Sequence, residues 1–262
     1  MGKREKHRTE LQELVGEYVI TVDARRLTDY MLSSSNLPGR RGNLELALAF
    51  GDTVEAYVAQ DVEKLWQLVL DMTQVPADVA PVNTPGEIVP FCGAVGVGAL
   101  SSVAPQCADQ ALLALRSLAS DSRWRMREAV CFGLQRLLAR QRTKTMEALA
   151  EWVADGDLLE MRAVAAAVAE PELLQDQSAA LDALQLHKRI LARVSGVEQT
   201  RSEAFRVLRK GLAYTLSVVV CAVPEEGFAY MSQLLDEPAP DVRWNVARAL
   251  GRRPRPESLA AL

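Results

Sequence analysis

The sequence predicts an all-α protein built as a solenoid of about five or six stacked helical hairpins. Three observations carry this reading. Ala and Leu dominate while aromatic residues make up only 5% of the chain, a composition that favours helix. Apolar residues recur at helical spacing in segment after segment, bounded by Asp, Gly and Pro. One pattern, an apolar residue followed by Arg and then by small and apolar residues, returns at positions 126, 161, 208 and 242. The intervals of 35, 47 and 34 residues match the period of a two-helix repeat.

In chain order, Thr9–Arg26 and Leu44–Gln60 read as helices separated by the turn-rich Ser33-Ser34-Ser35-Asn36-Leu37-Pro38-Gly39. Arg41–Leu48 keeps the Arg of the repeat, and Val89–Gly98 keeps its small and apolar spacing with Pro90 in place of the Arg. Met126–Leu134 is a clear copy, with Asp121 or Ser122 expected as its cap. Met161–Val168 follows Asp155-Gly156-Asp157, and Leu208–Leu216 is the next copy. Asp241–Gly251 is the sharpest: Asp241 is the expected cap, Val242, Val246 and Ala249/Leu250 follow at helical spacing, and Gly251 stands at the stop. The first helices of the pairs are expected at Gln106–Ser120, Lys144–Ala154, Leu173–Arg193 and Phe228–Leu235. One amphipathic helix cannot bury its stripe alone, so stacking of such pairs would supply the core.

With its Asp241-Val242-Arg243 start and Ala249-Leu250-Gly251 finish, the last copy resembles the second helix of a HEAT-type repeat. The copies bearing Arg127, Arg162 and Arg209 are similar but degenerate, and the resemblance covers roughly residues 85–252. It implies a right-handed α-solenoid whose second helices line a concave, ligand-facing wall. The expected organisation is an N-terminal helical cap over residues 1–84, HEAT-like repeats over 85–252 and a C-terminal tail over 253–262.

The chain of 262 residues has 30 Lys+Arg against 34 Asp+Glu and a formal net charge of −4. No stretch approaches 18 uninterrupted apolar residues, so no membrane partner is expected. The four cysteines are scattered without a CxxC pair, and the two histidines, His7 and His187, form no cluster. No metal site and no cofactor is therefore expected, and the thiols read as buried and free in a reducing cytoplasm. His187, beside Lys188 and Arg189, reads as a solvent-facing helix residue. Gly93-Ala94-Val95-Gly96-Val97-Gly98 has neither the strand nor the Lys of a phosphate loop and reads as a helix packed tightly against its neighbours.

Two sets of side chains are candidates for binding. Arg127, Arg162, Arg209 and Arg243 recur at the starts of second helices. They would form either an anion-binding ladder or structural pairs with turn residues such as Asp121, Asp155, Asp157 and Asp241. Residues 116–144 hold eight basic against two acidic residues, among them Arg123, Arg125, Arg136 and Arg140, with Trp124 inside the cluster. Such a strip is the electrostatic footprint of nucleic-acid binding or, alternatively, a solvated helix face. Arg248, Arg252, Arg253 and Arg255 add a second basic patch, whereas residues 10–90 carry thirteen acidic against five basic groups.

The function expected from this pattern is non-catalytic: a cytoplasmic adaptor or scaffold that binds a protein or peptide through Trp124, Arg127, Arg162, Arg209, Tyr214, Arg243 and Trp244. The alternative is a nucleic-acid-binding protein. Some alkylpurine DNA glycosylases are built from HEAT-like repeats, and the chain is similar to them in fold class. Trp124, Trp152, Asp155, Asp157 and Arg162 could imitate their aromatic, acidic and basic set. No motif of that family aligns residue by residue, so no catalytic residue is transferred.

Overall fold

The computed structural model describes residues 2–197, 200–236 and 238–251. The expected tail over 253–262, with Arg252, Arg253 and Arg255, lies outside the described residues. The protein is all-helical, with thirteen α-helices, four short 3-10 turns and no strand among the described residues. The chain divides into two compact units, Met1–Thr145 and Met146–Leu262.

The first unit holds α1 (Lys3–Thr21), α2 (Arg25–Ser33), α3 (Leu44–Tyr57), α4 (Val62–Thr73), α5 (Ile88–Val103), α6 (Ala108–Ala119) and α7 (Trp124–Arg140). Alternate helices pack on one another in the row α1, α3, α5, α7, with α4 laid on α5 and α6 on α5 and α7. Helices α1, α3 and α4 thus pack in one unit with α5, α6 and α7.

The single helix expected over Thr9–Arg26 is two. Val22 takes a left-handed φ of 57°, and Asp23 accepts the backbone N–H of Arg25 at 3.0 Å. This side-chain bond competes with continuation of the helix. Helix α4 has no counterpart in the sequence reading, although Leu65, Leu68, Val69 and Met72 are buried at one-face spacing and Asp61 caps Lys64 N–H at 3.0 Å.

Helix α5 organises the unit. All but one of its sixteen residues are buried. The segment Pro85–Val103 is long and apolar enough to cross a membrane, yet it is almost wholly buried inside the protein. Its glycines face neighbouring helices. A Cβ on Gly93 would lie 2.8 Å from Met72 on α4, one on Gly96 would lie 2.9 Å from Phe50 on α3, and one on Gly98 would enter the backbone of Gly133 on α7. The glycine run is a packing device that lets three helices approach one backbone.

Helix α8 (Arg142–Asp155) spans the boundary between the units. The second unit continues with α9 (Leu158–Val168), α10 (Gln177–Ser195), α11 (Glu203–Ala222), α12 (Pro224–Gln233) and α13 (Pro240–Leu250). Again alternate helices form a row, α9, α11, α13, with α10 packed on all three and α12 on α11.

The capping expectations divide. Asp157 and Glu160 form a reciprocal capping box on α9, with both bonds at 2.8 Å. Neither Asp121 nor Ser122 caps α7, whose cap position is Arg123 without a side-chain bond. Asp241 lies inside the first turn of α13, which opens at Pro240, and its carboxylate serves Arg209 instead.

Candidate functional site

The basic cluster of residues 116–144 does not form a free cationic strip. Arg123, Arg125 and Arg127 are buried, at 2%, 4% and 8% exposure. Arg123 grips Asp121 with its Nε at 3.0 Å and its Nη2 at 2.7 Å, and its Nη1 donates to the Val75 carbonyl at 3.0 Å. Burial pushes the Asp121 carboxyl up, but the side-chain and backbone bonds from Arg123 and the charges of Arg123 and Arg127 outweigh it and leave its pKa lowered. Arg127 donates to the carbonyls of Asp121 and Ser122 at 2.7 and 3.2 Å. Asp121 therefore does pair with an arginine, Arg123, and the charge of the repeat-position Arg127 also acts on it.

Arg125 ties three segments together. Its Nη1 donates to Glu87 Oε2 at 2.8 Å and its Nη2 to the Gly39 carbonyl at 2.9 Å. Asn83, at a left-handed φ of 67°, accepts the Gly39 N–H at 2.9 Å and gives its own N–H to Glu87 at 2.7 Å. Glu87 is fully buried, and Glu87 Oε1 and Arg125 Nε have no hydrogen-bond partner among the described residues. Trp124, 40% exposed, lies beside this centre with the Arg125 guanidinium 4.3 Å from its ring centroid. The turn-rich Ser33–Gly39 stretch is thus anchored from within.

Arg136 and Arg140 are also engaged. Arg136 bonds Asp52 at 3.0 Å, Glu55 at 2.5 Å and the Leu48 carbonyl at 3.0 Å, joining α7 to α3. Gly51 makes room for it, since a Cβ there would meet the guanidinium at 2.8 Å. Arg140 is more exposed and approaches Glu55 at 3.8 Å, and Lys144 pairs with Asp109 at 2.7 Å.

The second unit uses its cations differently. On α13, Trp244 carries two guanidiniums, Arg209 from α11 at 4.4 Å and Arg248 at 5.4 Å from the ring centroid. Arg209 also meets Asp241 at 2.5 Å, so this repeat-position Arg locks α11 to α13. Arg206, Lys210 and Tyr214 lie at i, i+4 and i+8 on α11 and are all exposed, Tyr214 at 40%. Arg162 on α9 runs its stem beside Gly211 of α11, and the exposed Arg243 donates to the Pro238 carbonyl at 3.0 Å. Sequence reasoning singled out Arg209, Tyr214 and Trp244 but passed over Arg206 and Lys210, whose spacing with Tyr214 was a readable signal.

His187 is not a solvent-facing residue. It is fully buried, with Nδ1 2.8 Å from the Ala183 carbonyl and Nε2 2.9 Å from Thr215 Oγ1. Neutral imidazole satisfies both contacts by donating from Nδ1 and accepting the Thr215 hydroxyl. Burial lowers its pKa to about 4, opposed by the bond to Ala183.

Of the set that imitates a base-excision site, Trp152 is buried at 2% exposure and the Asp157 carboxylate is engaged in its capping box. No group of three or more His, Cys, Asp or Glu residues suited to a metal occurs among the described residues.

The arrangement defines an all-helical protein that carries a cluster of exposed and part-exposed aromatic and cationic groups on α11 and α13. No family model and no curated protein matches the chain. Among solved structures it is similar to an engineered protein determined by the Northeast Structural Genomics Consortium. The two share 14% identity over 96% of this chain and 97% of that one, with a TM-score of 0.37, too low to carry an argument.

Proposed function

We propose that the chain is a non-catalytic recognition module of stacked helical hairpins, a cytoplasmic adaptor that binds a protein or peptide through the α11–α13 face. The observation that carries this reading is the Arg209–Trp244–Arg248 stack, a rigid aromatic and guanidinium surface of the kind that anchors protein interfaces. The packing of alternate helices within each unit supports the stacked-hairpin reading. The nucleic-acid reading loses its main support, because Arg123, Arg125 and Arg136 are already committed to Asp121, Glu87, Asp52 and Glu55. A guanidinium so paired releases few counterions from a phosphate backbone.

The test is affinity capture with the native protein and with a variant carrying Arg206→Glu, Lys210→Glu and Arg248→Glu, read by mass spectrometry. The reading expects a specific protein to be retained by the native chain and lost with the charge reversals. A labelled DNA duplex titrated at about 50 and 200 mM salt is the opposing arm. Duplex binding that collapses over this range, with no protein lost in the variant, would overturn it.

A further inference from the structure

We infer that the α11–α13 face takes a peptide segment with clustered Asp and Glu side chains, an inference that rests on the recognition reading above. One turn of α11 carries Arg206, Arg209 and Lys210, and the guanidiniums of Arg209 and Arg248 both lie over the Trp244 ring. These four cations have one acidic partner among the described ion pairs, Asp241 on Arg209. Helices α11 and α13 together hold five basic and two acidic residues. Like charges held this close repel, and carboxylates arriving from a partner relieve that repulsion.

The stack also prepares the site. Contact with the indole restricts the Arg248 side chain before a ligand arrives, so less rotamer entropy is lost on forming a two-pronged bond to a carboxylate. Arg206 and Lys210, one helical turn apart on the exposed side of α11, are placed for flanking carboxylates. The exposed Tyr214, at 40% and one turn beyond Lys210 on α11, offers apolar contact beside the charged patch. A peptide provides both acidic and apolar side chains, which a bare phosphate does not.

The experiment is fluorescence anisotropy of a labelled peptide of Glu, Asp and Leu against the full chain. A matched peptide with Gln and Asn in place of the acids is the control. Binding of the acidic peptide alone is expected, weakened about tenfold by Arg248→Gln. A smaller loss is expected for Arg248→Lys, which keeps the charge and loses the planar fork. Lys210→Gln should also weaken binding, and Arg25→Gln, on the first unit, should not. Equal binding of the amide peptide, or indifference to both Arg248→Gln and Lys210→Gln, would overturn the inference. If that happens while captured protein still depends on Arg206, Lys210 and Arg248, the ligand class falls and the recognition reading stands. If neither depends on them, both fall.

Discussion

The two units bury polarity in opposite ways. At the heart of the first lies a charged pair, Glu87 and Arg125, fully enclosed and holding the loops at Gly39 and Asn83. At the heart of the second lies a neutral pair, His187 and Thr215, joining α10 to α11. The surfaces differ in the complementary sense. Arg123, Arg125 and Arg136 of the first unit turn inward onto acids and carbonyls, whereas Arg206, Arg209 and Arg248 of the second remain wholly or partly outside. The same residue type is thus a buried staple at Arg123 and Arg125 and an exposed cation at Arg206 and Arg248. Partners within hydrogen-bond reach decide which role it takes, and no count of positive charge reveals them.

The largest effect expected is on the charged centre. Glu87→Ala leaves Arg125 buried without a counterion and should cost about 3–5 kcal/mol, measured by urea unfolding. The double change Glu87→Leu with Arg125→Met should recover most of that loss, because paired apolar groups carry no desolvation cost. If the double variant is as unstable as the single, the loops depend on Arg125 bonding to Gly39 more than on charge pairing.

The neutral centre responds to acid instead. With a folded pKa of about 4 against the ordinary 6.5, His187 resists protonation in the native state. The unfolded chain binds the proton more readily, so its contribution to stability is intact above about pH 6.5. It declines as the pH falls and is fully lost below about pH 4, a swing on the order of 3 kcal/mol. A His187→Gln variant should show a shallower loss of stability than the native chain between these limits. Parallel pH profiles would place the acid sensitivity elsewhere.

The helical class and most helix positions were legible in the sequence because periodicity encodes burial directly. Gln106–Ser120 is realised as α6 with the turn before it, Lys144–Ala154 as α8, and the four Arg-marked copies as α7, α9, α11 and α13. The site was legible only in part. Trp244 and Arg209 could be singled out by type and spacing, but their stacking depends on contacts thirty-five residues apart in the chain. Residues 116–144 misled for the same reason: the acids that satisfy Arg125 and Arg136 lie on or beside other helices, at Glu87, Asp52 and Glu55. His187 misled because a basic neighbour says nothing about which side of a helix a residue faces.

A further contrast concerns arginine pairs at two depths. Arg123→Met removes a buried guanidinium bound to Asp121 and to the Val75 carbonyl. It should cost about 2–3 kcal/mol, because Asp121 and the carbonyl are left with poor alternatives. Arg209→Met breaks a part-exposed pair with Asp241 and a stack on Trp244 and should cost about 1 kcal/mol.

The smallest effect on folding is expected at Arg248, and it separates stability from recognition most cleanly. Arg248 is exposed and its described interaction is the stack on Trp244, worth about 0.5–1 kcal/mol at such a site. Arg248→Gln should therefore shift the thermal midpoint by only a few degrees, while acidic-peptide binding falls by an order of magnitude. A staple behaves in the reverse way, as Arg123 does, with folding affected before any ligand is present. If Arg248→Gln destabilises the chain as much as Arg123→Met, the outward cations of the second unit are structural as well, and the contrast between the two units dissolves.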